Sequence, residues 1–248
     1  MNAPINTAVR TSISAIVNNT QPKLTQLLIS VTTIEEAQVA LENGADIIDL
    51  KEPSIGALGA LPIDTIQAIV AYVKNTDSKL TSATIGDLPM EPVLLLAHVT
   101  QLAATGVDII KIGFFQTDNY QPCLDILKSL VQAGVRLIAV FFAEITYPQG
   151  LIAAIKHAGF VGIMLDTSKK NGLTLLDYYS QEQRVIFAKR ILEHGLQLGL
   201  AGSLRLKHVP LIKELSPNYI GFRGGVCDDN QRGRALDIEK VIAARKIV

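Results

Sequence analysis

Three stretches of this chain repeat one pattern, a glycine followed by an apolar run that closes on charge. They are Gly44-Ala45-Asp46-Ile47-Ile48-Asp49-Leu50-Lys51, Gly106-Val107-Asp108-Ile109-Ile110-Lys111-Ile112-Gly113 and Gly159-Phe160-Val161-Gly162-Ile163-Met164-Leu165-Asp166. Each has the length and the apolar density of a short buried strand. From Leu24 onward such segments alternate with amphipathic ones. The pattern predicts strands over 24–31, 46–51, 79–84, 108–114, 136–142, 161–165, 197–201 and 219–222. Helices are predicted from a cap at Thr33, from Pro62, over 91–105, 119–133 and 148–158, in a region ending near His194, and over 204–215 and 238–247. Thr33 is followed by Glu35 and Glu36, the acidic first turn that a helix N-terminus favours.

Eight strand–helix units in roughly 225 residues fit an α/β fold of one domain, a single (β/α)8 TIM barrel, which typically takes about 250. A doubly wound open sheet is the competing arrangement. It usually places a glycine-rich phosphate loop after its first strand, whereas here that strand runs into Ser30-Val31-Thr32-Thr33. The barrel is therefore expected over 24–248. Residues 1–23, rich in Asn, Thr, Ser and Gln, are expected to form an N-terminal extension, flexible or engaged in a subunit contact.

Composition narrows the partners. Of 248 residues, 48% are hydrophobic, enough for a substantial core, and 23 basic residues balance 23 acidic ones. Such balance gives no electrostatic reason to expect nucleic acid or an anionic membrane as partner, so any affinity for anions must be local. Cys123 and Cys227 are far apart, without metal-type spacing, and fit a reducing compartment. Cys227-Asp228-Asp229 lacks a His or Glu at a spacing that would make a metal site. No leader-like or membrane-length apolar run is present, so a soluble cytoplasmic protein is expected.

The charges that close the repeats carry the candidate chemistry. Side chains alternate faces along a strand, so Asp49 and Lys51 share a face, Lys111 holds the position equivalent to Asp49, and Asp166 the position equivalent to Lys51. An uncompensated buried charge is costly, which makes two lysines and two carboxylates on matched faces a candidate polar pocket. In a barrel they would sit on strands two, four and six near the C-terminal face, where active sites lie. Arg223-Gly224-Gly225 joins them from strand eight. A lysine there either binds phosphate as a point charge or forms a Schiff base with a carbonyl, once desolvation or another cation makes its amine available. Asp49 and Asp166 would hold the ammonium groups and move protons. The bland alternative is that the four charges merely plug the barrel mouth as ion pairs. Ala201-Gly202-Ser203 and Arg223-Gly224-Gly225 end strands seven and eight, whose loops often bind phosphate in such barrels. They may equally be tight turns. Lys170, in the charged loop 166–172, is a further candidate phosphate ligand. Asp87 would be polar lining or a turn residue, Glu144 and Tyr147 are weaker candidates for the pocket lining, and His98, His157, His194 and His208 all fall in predicted helices, where surface or core roles are expected.

At these motifs the chain resembles the (5-formylfuran-3-yl)methyl phosphate synthase family of methanofuran biosynthesis, also called 4-(hydroxymethyl)-2-furancarboxaldehyde-phosphate synthase. The resemblance rests on 44–51, Leu58-Gly59-Ala60, Ser82-Ala83-Thr84-Ile85-Gly86-Asp87, Ile110-Lys111-Ile112-Gly113 and Met164-Leu165-Asp166-Thr167. It continues through Lys170-Asn171-Gly172, Leu200-Ala201-Gly202-Ser203 and Arg223-Gly224. It implies a carbon–oxygen lyase that condenses two glyceraldehyde 3-phosphate molecules into a furan aldehyde phosphate with loss of phosphate and water. By the same resemblance the Schiff-base lysine falls on Lys51, the proton-accepting lysine on Lys111, and supporting roles on Asp49, Asp166 and Lys170. Gly202, Ser203, Arg223, Gly224 and Gly225 would serve one substrate phosphate, and Lys170 the other. No metal or organic cofactor is implied, the partner is a small sugar phosphate, and the chain is expected to form a homo-oligomer. Two other readings of the residues stay open: a Schiff-base aldolase or isomerase acting on one triose phosphate, and a non-catalytic barrel that binds phosphorylated ligands.

Overall fold

The three sequence repeats are helix ends joined to strands. Gly44, Gly106 and Gly159 have φ of +92°, +79° and +88°, the left-handed conformation in which a helix most readily stops. Each is followed within three residues by a strand. The computed structural model describes residues 24–169 and 171–248; the expected extension, 1–23, and Lys170 lie outside the described residues. The strands are β1 (Gln26–Val31), β2 (Ile47–Leu50), β3 (Leu80–Thr84), β4 (Ile109–Gly113), β5 (Leu137–Phe142), β6 (Gly162–Asp166), β7 (Gln197–Leu200) and β8 (Tyr219–Phe222). All neighbours pair in parallel in sequence order, and β8 closes on β1. The fold is the (β/α)8 barrel.

Around it run α1 (Ile34–Glu42), α2 (Ile63–Thr76), α3 (Pro92–Ala103), α4 (Gln121–Gln132), α5 (Leu151–His157), α6 (Leu175–Tyr178), α7 (Gln181–Glu193), α8 (Val209–Lys213) and α9 (Ile238–Ile247). Thr33 caps α1 by accepting from the Glu36 N–H, as its position before two glutamates predicts. The helical region predicted to end near His194 is two helices, because the chain is extended at Tyr179 and Ser180 and the Ser180–Gln183 capping box starts α7 afresh. The helix predicted over 204–215 is shorter. A 3-10 turn over Leu206–His208 precedes α8, which begins with Pro210 in its first turn.

Alternation along the strands divides two apolar regions. Leu27, Ile29, Val31, Ile48, Leu50, Ile110 and Ile112 face the helices in the main core. Leu28, Ile47, Ile109, Ile138, Val140, Met164 and Tyr219 fill the barrel interior. Ser30, Asp49 and Ser82 are consecutive register partners across β1, β2 and β3, so a polar row crosses the interior. Charge begins at that row and increases toward the strands' C-terminal ends.

The repeat glycines allow a test of how much the helix stops matter. A Cβ at Gly159 would lie 2.7 Å from Val131 Cγ1, whereas at Gly134, with φ of +95°, it would meet nothing within 4 Å. Gly134→Ala is expected to cost about 1–2 kcal/mol for the left-handed backbone alone. Gly159→Ala should cost more, because the clash adds to it. Urea unfolding of both variants checks this, and equal losses would show that Val131 yields without penalty.

Candidate active site

The described residues predicted for the site come together. Asp49, Lys51, Lys111, Asp166, Gly202, Ser203, Arg223, Gly224 and Gly225 all line one cavity of about 400 Å³ at the C-terminal mouth of the barrel. Its floor includes Leu28 and Met164.

Asp49 is the deepest charge and is fully buried. Its Oδ2 accepts from Ser30 Oγ at 2.8 Å, and its Oδ1 from Ser82 Oγ at 2.7 Å. Lys111 Nζ stands 2.6 Å from Oδ1. The register explains the contact: Lys111 pairs with Thr84, one same-face step above Ser82, and its side chain reaches across β3 to the carboxylate on β2. Burial by itself would push the Asp49 carboxyl up. The charges of Lys111 and Lys51, with the hydrogen bonds from Lys111 and Ser82, outweigh it and hold the carboxyl below its ordinary value.

Lys51 comes two residues after Asp49, so its backbone is nearer the mouth by about 6–7 Å of strand rise. Its Nζ lies 4.0 Å from Asp166 Oδ2. The other carboxylate oxygen, Oδ1, accepts from the Thr167 N–H at 2.7 Å. Lys51 is thus the more accessible lysine, 9% exposed against 2% for Lys111.

Arg223 occupies the cavity wall, yet its guanidinium is occupied with holding the rim together. Nε donates to Arg232 O (2.8 Å), Nη1 to Ser30 O (3.1 Å) and Glu36 Oε2 (2.6 Å), and Nη2 to Arg234 O (3.1 Å). The expected phosphate contact from this side chain would have to break that set. What the predicted anion site keeps is backbone. Gly202 has φ of +99° and Ser203, exposed, has φ of +52°, a conformation uncommon outside glycine. Gly225 allows its loop to press on Leu204, whose carbonyl occupies the place of a Cβ.

Two charged residues hold loops rather than line the main cavity, and a third lines it without having been singled out in the sequence. Asp87 holds the loop after β2, its two oxygens accepting from the Ala57 and Leu58 N–H groups, each at 2.8 Å. That places Leu58 in the interior cluster. Glu144 lines a separate cavity and accepts from the Ser168 and Lys169 N–H groups at 3.0 and 2.8 Å, fixing the loop after β6. Arg232, unremarkable in the sequence, lines the main cavity. Tyr147 is scaffold: its hydroxyl accepts from Phe142 N–H and donates to Phe114 O, and its ring stacks on Phe141 at 4.0 Å. None of the four histidines lines the main cavity. Among the described residues no three His, Cys, Asp or Glu side chains converge as a metal site would need, and no helix is long and apolar enough to cross a membrane.

Comparison with known proteins agrees with the geometry. The model of the 4-HFC-P synthase family matches residues 27–245. A Methylorubrum extorquens protein assigned by name to (5-formylfuran-3-yl)methyl phosphate synthase is 42% identical over 219 residues, covering 88% of this chain and 89% of its own. The (5-formylfuran-3-yl)methyl phosphate synthase of Methanocaldococcus jannaschii is 33% identical over 231 residues, covering 87% and 96%. Among solved structures, phosphoribosyl anthranilate isomerase from Thermus thermophilus superposes with a TM-score of 0.63 at 16% identity, covering 90% of this chain and 97% of its own. The 3-hexulose-6-phosphate synthase of Salmonella typhimurium gives 0.63 at 15%, covering 90% and 98%. At those identities the two structures speak to the barrel alone.

The buried pair makes a stability prediction. A carboxyl held below its unfolded value contributes stability that is whole above the ordinary carboxylate range, around pH 4, and is lost as pH falls through the folded value. Asp49→Asn is expected to cost about 3–5 kcal/mol at pH 7, since Lys111 stays buried without its counter-charge. The double variant Asp49→Asn/Lys111→Met should recover part of that loss. Urea midpoints from pH 7 to pH 3 check both statements. A wild-type midpoint that falls no faster than that of Asp49→Asn would rule out the pair as an acid-sensitive element.

Proposed function

The chain belongs to the 4-HFC-P synthase family, and on that premise we propose that it condenses two glyceraldehyde 3-phosphate molecules, through a Schiff base on Lys51, into (5-formylfuran-3-yl)methyl phosphate with loss of phosphate and water. The observation that carries the reading is the stacking of two lysine–carboxylate pairs at different depths of one cavity, Lys51 with Asp166 at the rim and Lys111 with Asp49 below it.

The depths suit successive steps. The Lys51 amine attacks the aldehyde carbon of the first triose, and the carbinolamine loses water to give an iminium. Asp166, beside the nitrogen, exchanges the protons this requires. The iminium draws electrons from the adjacent carbon and makes its hydrogen acidic. Lys111 takes that proton as the free amine, Asp49 being the group through which its own proton is exchanged. The resulting enamine expels phosphate, which leaves with the C–O bonding pair. Carbon–carbon bond formation with the second triose, ring closure and dehydration complete the furan, and water hydrolyses the Lys51 imine to release the aldehyde and restore the amine. The backbone at Gly202–Ser203 and Gly224–Gly225 serves one phosphate, because glycine lets an anion approach the chain closely.

The test is product and adduct. Incubation with glyceraldehyde 3-phosphate alone should generate near-ultraviolet furan absorbance together with free phosphate. A triose-phosphate aldolase or isomerase would give neither. Lys51→Ala should lose on the order of 10³-fold or more in turnover and the borohydride-trapped substrate adduct with it. Lys111→Ala should still form the adduct while turnover falls about 10²–10⁴-fold. Loss of trapping in Lys111→Ala but not in Lys51→Ala would reverse the two roles, and binding without any adduct would favour a non-catalytic barrel.

A further inference from the structure

The chemistry proposed above needs two phosphorylated substrates in one cavity, and the site predicted at β7 and β8 accounts for one of them. The cations that line the cavity differ in what their donors already hold. Lys111 is committed to Asp49 at 2.6 Å. Arg223 gives Nε, Nη1 and Nη2 to three carbonyls and Glu36. Arg205 is exposed. Lys51 is paired with Asp166 and taken by the proposed covalent step, which leaves Arg232. It lies half-buried in the cavity wall, and its guanidinium makes one hydrogen bond among the described residues, from Nη2 to Gly56 O. A guanidinium carries five N–H donors in a planar fork. The other four have no hydrogen-bond partner among the described residues, and the carboxylates that act on them electrostatically are Asp166, Asp87 and Glu52.

Its place on the rim is fixed from both sides. The Arg232 carbonyl accepts from Arg223 Nε, which ties its loop to the end of β8. The bond to Gly56 reaches past the end of β1 to the loop after β2, and Asp87 holds that loop at Ala57 and Leu58. Arg232 therefore stands over the β1–β2 side of the mouth, above the strand that bears Lys51. The Gly202–Ser203 turn stands over β7. The two positions are separated by β8 and β1 in the barrel order. Burial lowers the guanidinium from its ordinary value while Asp166 and Asp87 act the other way. An arginine remains cationic under both influences.

We infer that Arg232 is the ligand of a second substrate phosphate, a fork-shaped anion subsite whose guanidinium reaches from the loop after β8 toward the loop after β2, away from the Gly202–Ser203 turn. It holds the phosphate of one triose on the Lys51 side of the cavity while the other phosphate rests on the Gly202–Ser203 side. A planar fork suits phosphate better than a point charge does. The inference rests on the two-triose reading of the reaction, but binding can be read without turnover.

The experiment uses the whole chain, glycerol 3-phosphate as a non-reacting probe and D-glyceraldehyde as an aldehyde without phosphate. Arg232→Gln removes the charge and the fork and also shortens the side chain, so Arg232→Lys, which keeps the length and the charge, is the control for loss of the tie to Gly56. Calorimetric titration is expected to give about 10- to 100-fold weaker glycerol 3-phosphate binding at one of two sites in Arg232→Gln. The KM for glyceraldehyde 3-phosphate should rise by a similar factor with kcat changed less. Arg232→Lys should recover part of the affinity. Borohydride trapping of D-glyceraldehyde on Lys51 should be unaffected. Unchanged glycerol 3-phosphate affinity in Arg232→Gln, or an equal loss of D-glyceraldehyde trapping, overturns the inference and leaves Arg232 as a rim tie. If the wild-type chain makes no furan yet loses phosphate affinity in Arg232→Gln, the reaction reading fails and the subsite stands.

Discussion

The constraint on which the rest of this structure depends is the burial of the Asp49–Lys111 pair inside a parallel barrel. A barrel of this size has a packed interior, and removing two charges from water costs several kcal/mol per ion unless geometry and extra hydrogen bonds compensate. The sequence meets that demand through register. Ser30 and Ser82 flank Asp49 on the neighbouring strands and donate to its two oxygens, and Lys111 completes the set from one strand further on. Shifting any of these strands by one residue would turn its polar member out among the helices. The polar row thus fixes pairing around a quarter of the barrel as firmly as the apolar layers do. It also sets where charge can next appear, since Lys51 follows on the same face one step nearer the mouth.

Above that row much of the mouth is held by charged side chains that bind backbone, beside the Arg223–Glu36 and Lys51–Asp166 pairs. Asp87 takes two N–H groups of the loop after β2, Glu144 two of the loop after β6, and Arg223 three carbonyls from β1 and the loop after β8. Each joins loops that belong to different strands. Connecting loops are ordinarily the mobile part of a fold, and the proposed condensation would need them fixed so that two substrates keep their relative positions. A carboxylate accepting two amide hydrogens provides that fixation without placing a competing cation beside the substrate.

Much of this was legible in the chain. The eight strands follow from apolar runs of the right length, and alternation alone put Asp49, Lys51, Lys111 and Asp166 on inward faces, since backbone pleating leaves no other choice. What alternation cannot supply is the angular position of a long side chain after the strand has ended. Arg223 and Arg232 show this. Both flank the same loop, and Arg223 had the better sequence credentials, an arginine at a strand end before two glycines. Its side chain turns sideways to Glu36 and the carbonyls of its own loop. Arg232 lies in a segment without periodicity. Its place in the cavity depends on contacts with Gly56, 176 residues earlier in the chain, which no local pattern encodes. The same holds for Asp87 and Glu144, whose partners lie on other loops. A carboxylate after a strand reads as pocket lining when it is in fact a splint.

The division between the two lysines follows from depth and does not require any difference in their intrinsic chemistry. A nucleophilic amine must reach a carbonyl carbon that arrives from solvent with a phosphate attached, and a dianionic phosphate is unfavourable in the apolar lower barrel. The reacting carbon can therefore lie only as deep as a triose reaches below an anion held at the rim. Lys51, on the last inward step of its strand, meets that limit. Lys111, held on the row below, would meet instead the requirement for a proton acceptor once its own proton has passed to Asp49, since that group must stand under the substrate and be shielded from bulk water. Exchanging the two would put the covalent bond where the phosphate could not follow. Under the proposed mechanism, the polar row that makes the barrel foldable would also set its order of chemistry, with covalent capture at the rim and proton movement beneath it.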